Sequence, residues 1–410
     1  MKEESLLLLS DLQKLINQVV LIDYTIIILA RCKMKLRDKE TCTGCGLCVN
    51  VCPNGCIKMK RDQEGFYFPV IHQQQCLDCG LCKKACFDMA SNPKKEVRVY
   101  AAYQKAVERR LKASSGGIFE LLAEEVLNRK GVVFGVKMEG LKAVHTHIEK
   151  KQELEPLLGS KYMQSDVGCS YQQVQVFLKQ KRWVLFSGTP CQVDALIKYL
   201  GGKSPYLLTV DFICHGVSSP NVFEKYMSEH KIGHEKINQI SFRDKTEGWN
   251  CFSMAMTTEN GQVYRENMHK DSYLQSFLKN MNLRLSCFNC AFRTVDRVSD
   301  VTLGDFWECE NIWSDWKDDK GYSLVFIQSE KGKMFFDIIQ EAIVSKEADI
   351  EKVLTYNQSM LVSPWDQYSR DLFFKYIQKE TVEKSMMKVE KEGLHKKIGR
   401  KWWKICRKIK

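Results

Sequence analysis

Long apolar runs are what this 410-residue chain lacks. Its most apolar region, residues 1–33, holds Leu6–Leu9, Val19–Ile22 and Ile26–Leu29, but Asp11, Lys14, Asp23 and Arg31 interrupt the pattern. None of these runs approaches the roughly twenty consecutive apolar residues of a spanning helix. A basic n-region followed by a clean small-residue cleavage site is also missing, which argues against a secretory leader. Met34-Lys35-Leu36-Arg37 is a natural start for the next domain, so residues 1–33 read as an extension from an early start codon, with a peripheral anchor helix second. Evenly spread positive charge is lacking too. Of the net charge of +12, residues 391–410 carry +8, from nine Lys or Arg against one Glu. The body is nearly balanced, so no nucleic-acid partner is expected.

Cysteine, by contrast, is plentiful. Eighteen cysteines without a secretory leader point to a reducing cytoplasm and thiolates reserved for metal. Eight of them repeat one cadence: Cys42-x2-Cys45-x2-Cys48-x3-Cys52, followed by Pro53, and then Cys76-x2-Cys79-x2-Cys82-x3-Cys86. The alternatives are a disulfide framework or two zinc sites, but zinc pairs its ligands two and two rather than in runs of four. The cadence resembles that of bacterial two-cluster ferredoxins, where the fourth cysteine of each run serves the other cluster. On this reading Cys42, Cys45, Cys48 and Cys86 hold one 4Fe-4S cluster, and Cys76, Cys79, Cys82 and Cys52 hold the second. Gly46 and Gly80 let the backbone wrap close to inorganic sulfide, where a Cβ would collide. Phe87 replaces the proline expected after the second run, which loosens the loop but removes no ligand.

The ferredoxin-type domain is expected over residues 34–95, as two units at about 34–62 and 67–95. Ile57–Lys60 and Phe66–Val70 alternate like short strands around an Asp62–Gly65 turn. Asn92-Pro93 and the charged Lys94-Lys95-Glu96 mark a linker. Beyond it the grammar changes to strand, glycine loop and helix: Val97–Ala102, then Ser114-Ser115-Gly116-Gly117 before a helix Ile118–Asn128, then a buried strand Gly131–Val136. Trp183–Phe186 and Leu207–Ile213 read as strands flanking a helix that ends near Leu200. This is α/β organisation. A strand–helix–strand crossover leaves its strands parallel, so Cys191 and Cys214 should face each other over the carboxyl edge of the sheet. Cys287-x2-Cys290 adds two more thiols on a loop. Spacing alone leaves two readings open: a third cluster, or two buried cysteines plus a separate zinc or redox CxxC.

Further motifs follow in order: Ser114–Gly117, Gly159-Ser160-Lys161-Tyr162, Gly188-Thr189-Pro190-Cys191-Gln192, Cys214-His215-Gly216, Ser241-Phe242-Arg243-Asp244-Lys245, and Arg297-x2-Asp300-x3-Gly304-Asp305-Phe306-Trp307. Together they resemble the coenzyme F420 hydrogenase/dehydrogenase beta-subunit family, over about residues 98–345, with a two-cluster ferredoxin in front. The resemblance implies a non-Rossmann α/β domain holding FAD and a 4Fe-4S cluster, with an N-terminal part at 98–175 and a C-terminal part at 176–345. It makes Cys191, Cys214, Cys287 and Cys290 the ligands of a third cluster. It also makes Ser114, Ser115, Gly116, Gly117, Ser160, Lys161, Tyr162, Thr189 and Arg243 candidates for flavin binding. The Ser-Gly loop would serve through helix N-terminal amides, and Lys161 or Arg243 would balance pyrophosphate charge. Without the resemblance, Ser114–Gly117 reads as an ordinary helix cap. His215, and less securely Asp211, are candidates for proton delivery. Asp305 orients a loop, and Trp307 either packs or shields the flavin. Glu308 departs from the Trp-Gly that many members carry.

The implied activity is an oxidoreductase passing electrons between a one-electron, ferredoxin-like partner and, through FAD, a small organic substrate or deazaflavin-type cofactor. An adaptor that delivers electrons to a partner enzyme without its own substrate is the alternative. Cysteines 32, 56, 169, 251, 309 and 406 have no partner at ligand spacing and read as ordinary buried or surface residues. Residues 346–410 read as a helical tail. In its last part Leu394, Ile398, Trp402, Ile405 and Ile409 form one stripe among lysines and arginines. Such a helix suits peripheral contact with an anionic membrane face, or docking on the domain itself.

Overall fold

The computed structural model describes residues 36–87, 96–230 and 237–393. Residues 1–33, the Asn92-Pro93 linker and most of the basic tail lie outside the described residues.

The first unit is built around the cysteine runs. Strands β1 (Ile57–Arg61) and β2 (Tyr67–Ile71) form the expected hairpin, paired antiparallel from Ile57 opposite Ile71 to Arg61 opposite Tyr67. Short helices Leu47–Asn50 and Leu81–Phe87 carry the later cysteines of each run. Gly46 caps the first of them at φ 77°, a left-handed conformation that a side chain would strain.

The second unit is one eight-stranded sheet. Its strands are β3 (Arg98–Gln104), β4 (Val132–Glu139), β5 (Lys142–Ile148), β6 (Val184–Ser187) and β7 (Leu207–Phe212). After a separate three-stranded antiparallel sheet of β8 (Ile237–Asp244), β9 (Ser253–Thr258) and β10 (Val263–Asn267), it resumes with β11 (Val301–Asp305), β12 (Ser323–Ile327) and β13 (Ile343–Glu347). The large sheet runs β13-β3-β12-β11-β7-β6-β4-β5. Its central strands β11, β7, β6 and β4 are parallel, as the crossover predicted, and the flanking pairs are antiparallel. Because β4 pairs with β6, the portions 98–175 and 176–345 share a single sheet.

Alternation along these strands sorts the core. Val133, Leu185 and Leu208 pack with the helices Ile118–Asn128 and Glu330–Ile338 on one face. Val132, Phe134, Val184 and Phe186 pack with Ser170–Lys179 and Pro190–Leu200 on the other. A further core joins the small sheet to the helices Pro220–Glu229, Ser272–Leu278 and Gln367–Tyr376, and takes in Phe66 from the β1–β2 hairpin. Ion pairs fasten the same hairpin. Arg61 meets Glu224 at 2.7 Å, and the buried Arg370 meets Glu64. The segment after residue 346 is therefore not a free tail: among its described residues it closes over the ferredoxin-type unit. No helix among the described residues is long and apolar enough to cross a membrane.

Candidate iron–sulfur and cofactor site

Cys42, Cys45, Cys48 and Cys86 sit within electrostatic reach of one another. Burial first, and then Cys42 and Cys86, push up the thiol of Cys45. Burial first, and then Cys45, Cys42 and Cys86, do the same to Cys48. Cys86, contributed by the other run, thus joins the first three. The second set, Cys52, Cys76, Cys79 and Cys82, lines one small cavity. Among the described residues, no three His, Cys, Asp or Glu side chains close on one point as ligands of a single ion do. Four thiols spread around a cavity form the donor set of a cube rather than of one cation. Cys56 is buried, in keeping with the sequence reading. It lines the second cavity, and its Sγ lies 3.3 Å from that of Cys52.

The remaining set converges at the carboxyl edge of the parallel strands. Cys191 lies in the first turn of Pro190–Leu200 after β6, and Cys214 follows β7. The segment 214–218 then runs beside 283–287: Ser218 bridges Leu283, and Arg284 N–H donates to the Val217 carbonyl at 2.9 Å. A Cβ on Gly216 would lie 3.5 Å from that of Cys287. Cys191, Cys214, Cys287 and Cys290 therefore line one cavity, together with Thr43 and Gly44 of the first run. Burial pushes the Cys214 thiol up to about 12, with Cys287 adding to the shift and Arg293 opposing it. Burial raises Cys191 too, and Cys45 is the first neighbouring charge to add to it. Such thiols ionise at neutral pH only against a bound cation.

Beside this lies a cavity of about 630 Å³, within the range of small-molecule sites. It is lined by Ser114, Ser115 and Gly117, by Ser160, Lys161 and Tyr162, and by Thr189 and Arg243. His215, Asp211, Asp305 and Trp307 contribute as well. Cys214 lines both this cavity and the cysteine cavity, so the two share a wall.

Local structure explains how these residues meet. Ser114 does not cap the following helix. Gly117 is the cap, with φ 86° and no side-chain hydrogen bond, so the loop does cap the helix but through its glycine rather than a serine. Ser114 Oγ instead accepts from Ser160 N–H at 2.7 Å, tying the two loops together. Ser115 Oγ donates to the Tyr322 carbonyl at 2.5 Å. Gly116 lies behind the cavity wall, where a Cβ would come within 2.4 Å of the Ala102 carbonyl oxygen. Thr189 N–H donates to Gln192 Oε1 at 2.9 Å, and its Oγ1 lies 3.1 Å from Cys191 Sγ.

The charged candidates separate clearly. Lys161 Nζ donates to the carbonyls of Pro156 at 2.9 Å and Leu158 at 2.7 Å, and burial pulls its pKa down to about 7. Arg243 is buried, pairs with Asp305 through Nη1, and leaves Nε and Nη2 buried without a partner. Asp211 is engaged by Thr302 Oγ1 at 2.5 Å and by Arg297 at 3.3 Å, which holds it in the sheet rather than free for proton transfer. His215 Nε2 lies 3.3 Å from the Phe277 carbonyl, and burial, then Arg293, lowers its pKa, so the imidazole is neutral.

Two features were not legible from motifs. Trp249 stacks on Trp307 with ring centroids 4.4 Å apart and donates to the Ser114 carbonyl at 3.2 Å. Lys245 is buried and donates to three carbonyls, those of Arg110, Ser115 and Lys320. Trp307 thus packs and lines the cavity at once. Glu308 sits at φ 55°, ψ 30°, the left-handed region, which gives a backbone reason for glycine after this tryptophan.

These features define a class: a two-run, cysteine-rich unit clamped to a mixed α/β domain whose parallel-strand edge carries four more thiols. Residues 41–88 match the family model described as a 4Fe-4S dicluster domain. Residues 181–353 match the one described as the C terminus of the coenzyme F420 hydrogenase/dehydrogenase beta subunit. The ferredoxin-type resemblance is borne out over residues 41–88 and the beta-subunit resemblance over residues 181–353. The second match takes in Cys191, Cys214, Cys287, Cys290 and Arg243, while Ser114–Gly117 and Ser160–Tyr162 precede it. A solved chain from the xenon-derivatised F420-reducing NiFe hydrogenase complex of Methanosarcina barkeri is 17% identical, with a TM-score of 0.46, over 71% of this chain and 98% of that one. No curated protein matches.

Proposed function

We propose that this chain is an iron–sulfur flavoprotein oxidoreductase, moving electrons between a one-electron protein partner and a small organic substrate. The single observation that carries this reading is the shared wall at Cys214: the four-thiol cavity on one side, the 630 Å³ cavity on the other. The proximity of Cys45 to Cys191 supports a continuous order of first cluster, third cluster and cofactor cavity. When bound, 4Fe-4S clusters exchange single electrons and FAD supplies two-electron, hydride-level chemistry.

The residues present fit these groups. Cys191, Cys214, Cys287 and Cys290 supply four thiols around one cavity, which suits ligation coupled to proton release. Arg243, with an unpartnered guanidinium edge in the cavity wall, suits a phosphate or pyrophosphate better than Lys161, whose ammonium is held by two carbonyls. The tied loops of Ser114 and Ser160 shape the cavity, and Trp249 with Trp307 walls it from water. His215 Nε2, donating to Phe277, leaves Nδ1 as the atom able to accept a proton at the cavity.

Anaerobic purification with flavin extraction and iron analysis tests the proposal. Bound FAD with about twelve irons, from three cubes, is the expected result. About eight irons and no flavin, the content of two cubes, would instead identify an electron-carrying adaptor. Cys191→Ser should remove one cube and spare the other two.

A further inference from the structure

Among the described residues five arginines are buried: Arg110, Arg243, Arg284, Arg297 and Arg370. Four of them meet a carboxylate, from Asp318, Asp305, Asp211 and Glu64. Arg284 is the exception among the described residues, although it is the most enclosed, with 0% exposure. Its Nε donates to the Cys42 carbonyl at 2.8 Å, and Nη1 donates to the Tyr67 carbonyl and Gln164 Oε1, each at 3.1 Å. Nη2 is buried with no partner. Arg293, partly buried three residues after Cys290, also meets no carboxylate among the described residues. Its two terminal nitrogens donate to the carbonyls of Ser359 and His215, and its Nε is buried and unpartnered.

A buried cation without a counter-ion is strongly unfavourable in a low-dielectric interior. Arg284 stacks on the Phe68 ring at 4.0 Å, which offers only partial compensation, and both arginines lie beside cysteine sets. Arg293 lines the cavity of Cys191, Cys214, Cys287 and Cys290. Arg284 spans two cysteine sets: its side chain binds the Cys42 carbonyl, and its own carbonyl accepts from Cys287 N–H at 3.0 Å.

We propose that Arg284 and Arg293 are the built-in counter-charge of the third cluster, Arg284 being shared with the first, and that they raise its reduction potential so that electrons from the ferredoxin-type unit settle beside the cofactor cavity. The inference rests on the third-cluster reading above. A cube held by four thiolates is anionic, and reduction adds one electron from a ferredoxin-class donor without breaking a bond. The guanidinium charges therefore stabilise the reduced form more than the oxidised one.

The test is an EPR-monitored redox titration of the full chain, purified anaerobically, comparing wild type with Arg293→Gln, Arg293→Lys and Arg284→Gln. Arg293→Gln should keep all three clusters and lower the third potential at least tenfold in equilibrium constant, 59 mV for one electron. Arg293→Lys should restore it, since charge rather than hydrogen bonding is responsible. Arg284→Gln should lower the first and third potentials together; if that variant does not fold, Arg293 decides alone. Three clusters with unchanged potentials in Arg293→Gln would overturn the inference. A wild type with only two clusters would overturn the third-cluster reading instead.

Discussion

Arg243 meets both carboxylate oxygens of Asp305 through one nitrogen, at 2.8 and 2.7 Å, which fixes its guanidinium while leaving the Nε–Nη2 edge unpaired. Asp305 closes β11 and Arg243 closes on it from β8, so each sheet delivers one partner to the cavity wall. The guanidinium also lies 5.1 Å from the ring centroid of Trp307. A charge held this way is preorganised for an anionic group.

Replacing Arg243 with Met should therefore weaken flavin retention at least tenfold, the equivalent of losing about 1.4 kcal/mol. Iron in the ferredoxin-type unit should be unchanged. Equilibrium dialysis of flavin with the purified variant provides the measurement, and undiminished binding would remove Arg243 from the site.

Glu308 occupies a left-handed backbone conformation that disfavours any side chain. Its contact with Asn311 Nδ2, at 3.0 Å, is solvent-exposed and offsets little of this strain. Glu308→Gly should raise stability by about 1 kcal/mol, seen as a higher midpoint in thermal or denaturant unfolding.

His145 introduces a pH dependence. Its ring stacks on Phe186, and burial drives its pKa down from 6.5 to about 4, opposed only in part by the backbone at Ser187 and Asp166. The folded chain holds the imidazole neutral while the unfolded chain takes up a proton below pH 6.5. Stability from this group is complete above pH 6.5 and is lost as pH falls towards 4, by about 3 kcal/mol at most. Unfolding curves across that window should be less steeply pH-dependent in His145→Phe than in wild type.

The Arg370–Glu64 pair joins the helix Gln367–Tyr376 to the β1–β2 turn, and Arg370 Nε also donates to the Leu283 carbonyl at 2.7 Å. Arg370→Met should cost about 2 kcal/mol or more, since it strands a carboxylate and a carbonyl at a largely buried contact. Limited proteolysis should then cut more readily within residues 362–366 than in wild type.

Much of the architecture was readable because it is local. Apolar runs marked β6 and β7 within one residue and β4 within three, and Gly117 preceded a helix whose limits, Ile118–Asn128, match the expectation. The two cysteine runs announced their chemistry through fixed spacing. Other features have no local signature. Nothing around Ser114 says that its oxygen binds Ser160 rather than its own helix. Lys161 and Arg243 were alike as candidates in sequence, and only the fold shows that loop carbonyls already hold the Lys161 ammonium.

The sequence by itself determined which thiols come in sets, because ligand spacing along one loop is a covalent property. It also determined the parallel crossover that places Cys191 and Cys214 at one sheet edge, because a strand–helix–strand path closes in only one common way. Only the tertiary structure decided that Cys287 and Cys290 join them, that Cys214 separates two cavities, and that Arg284 is buried without a carboxylate. Those facts depend on burial and on contacts between segments distant in the chain, and desolvation has meaning only once the surrounding atoms are in place.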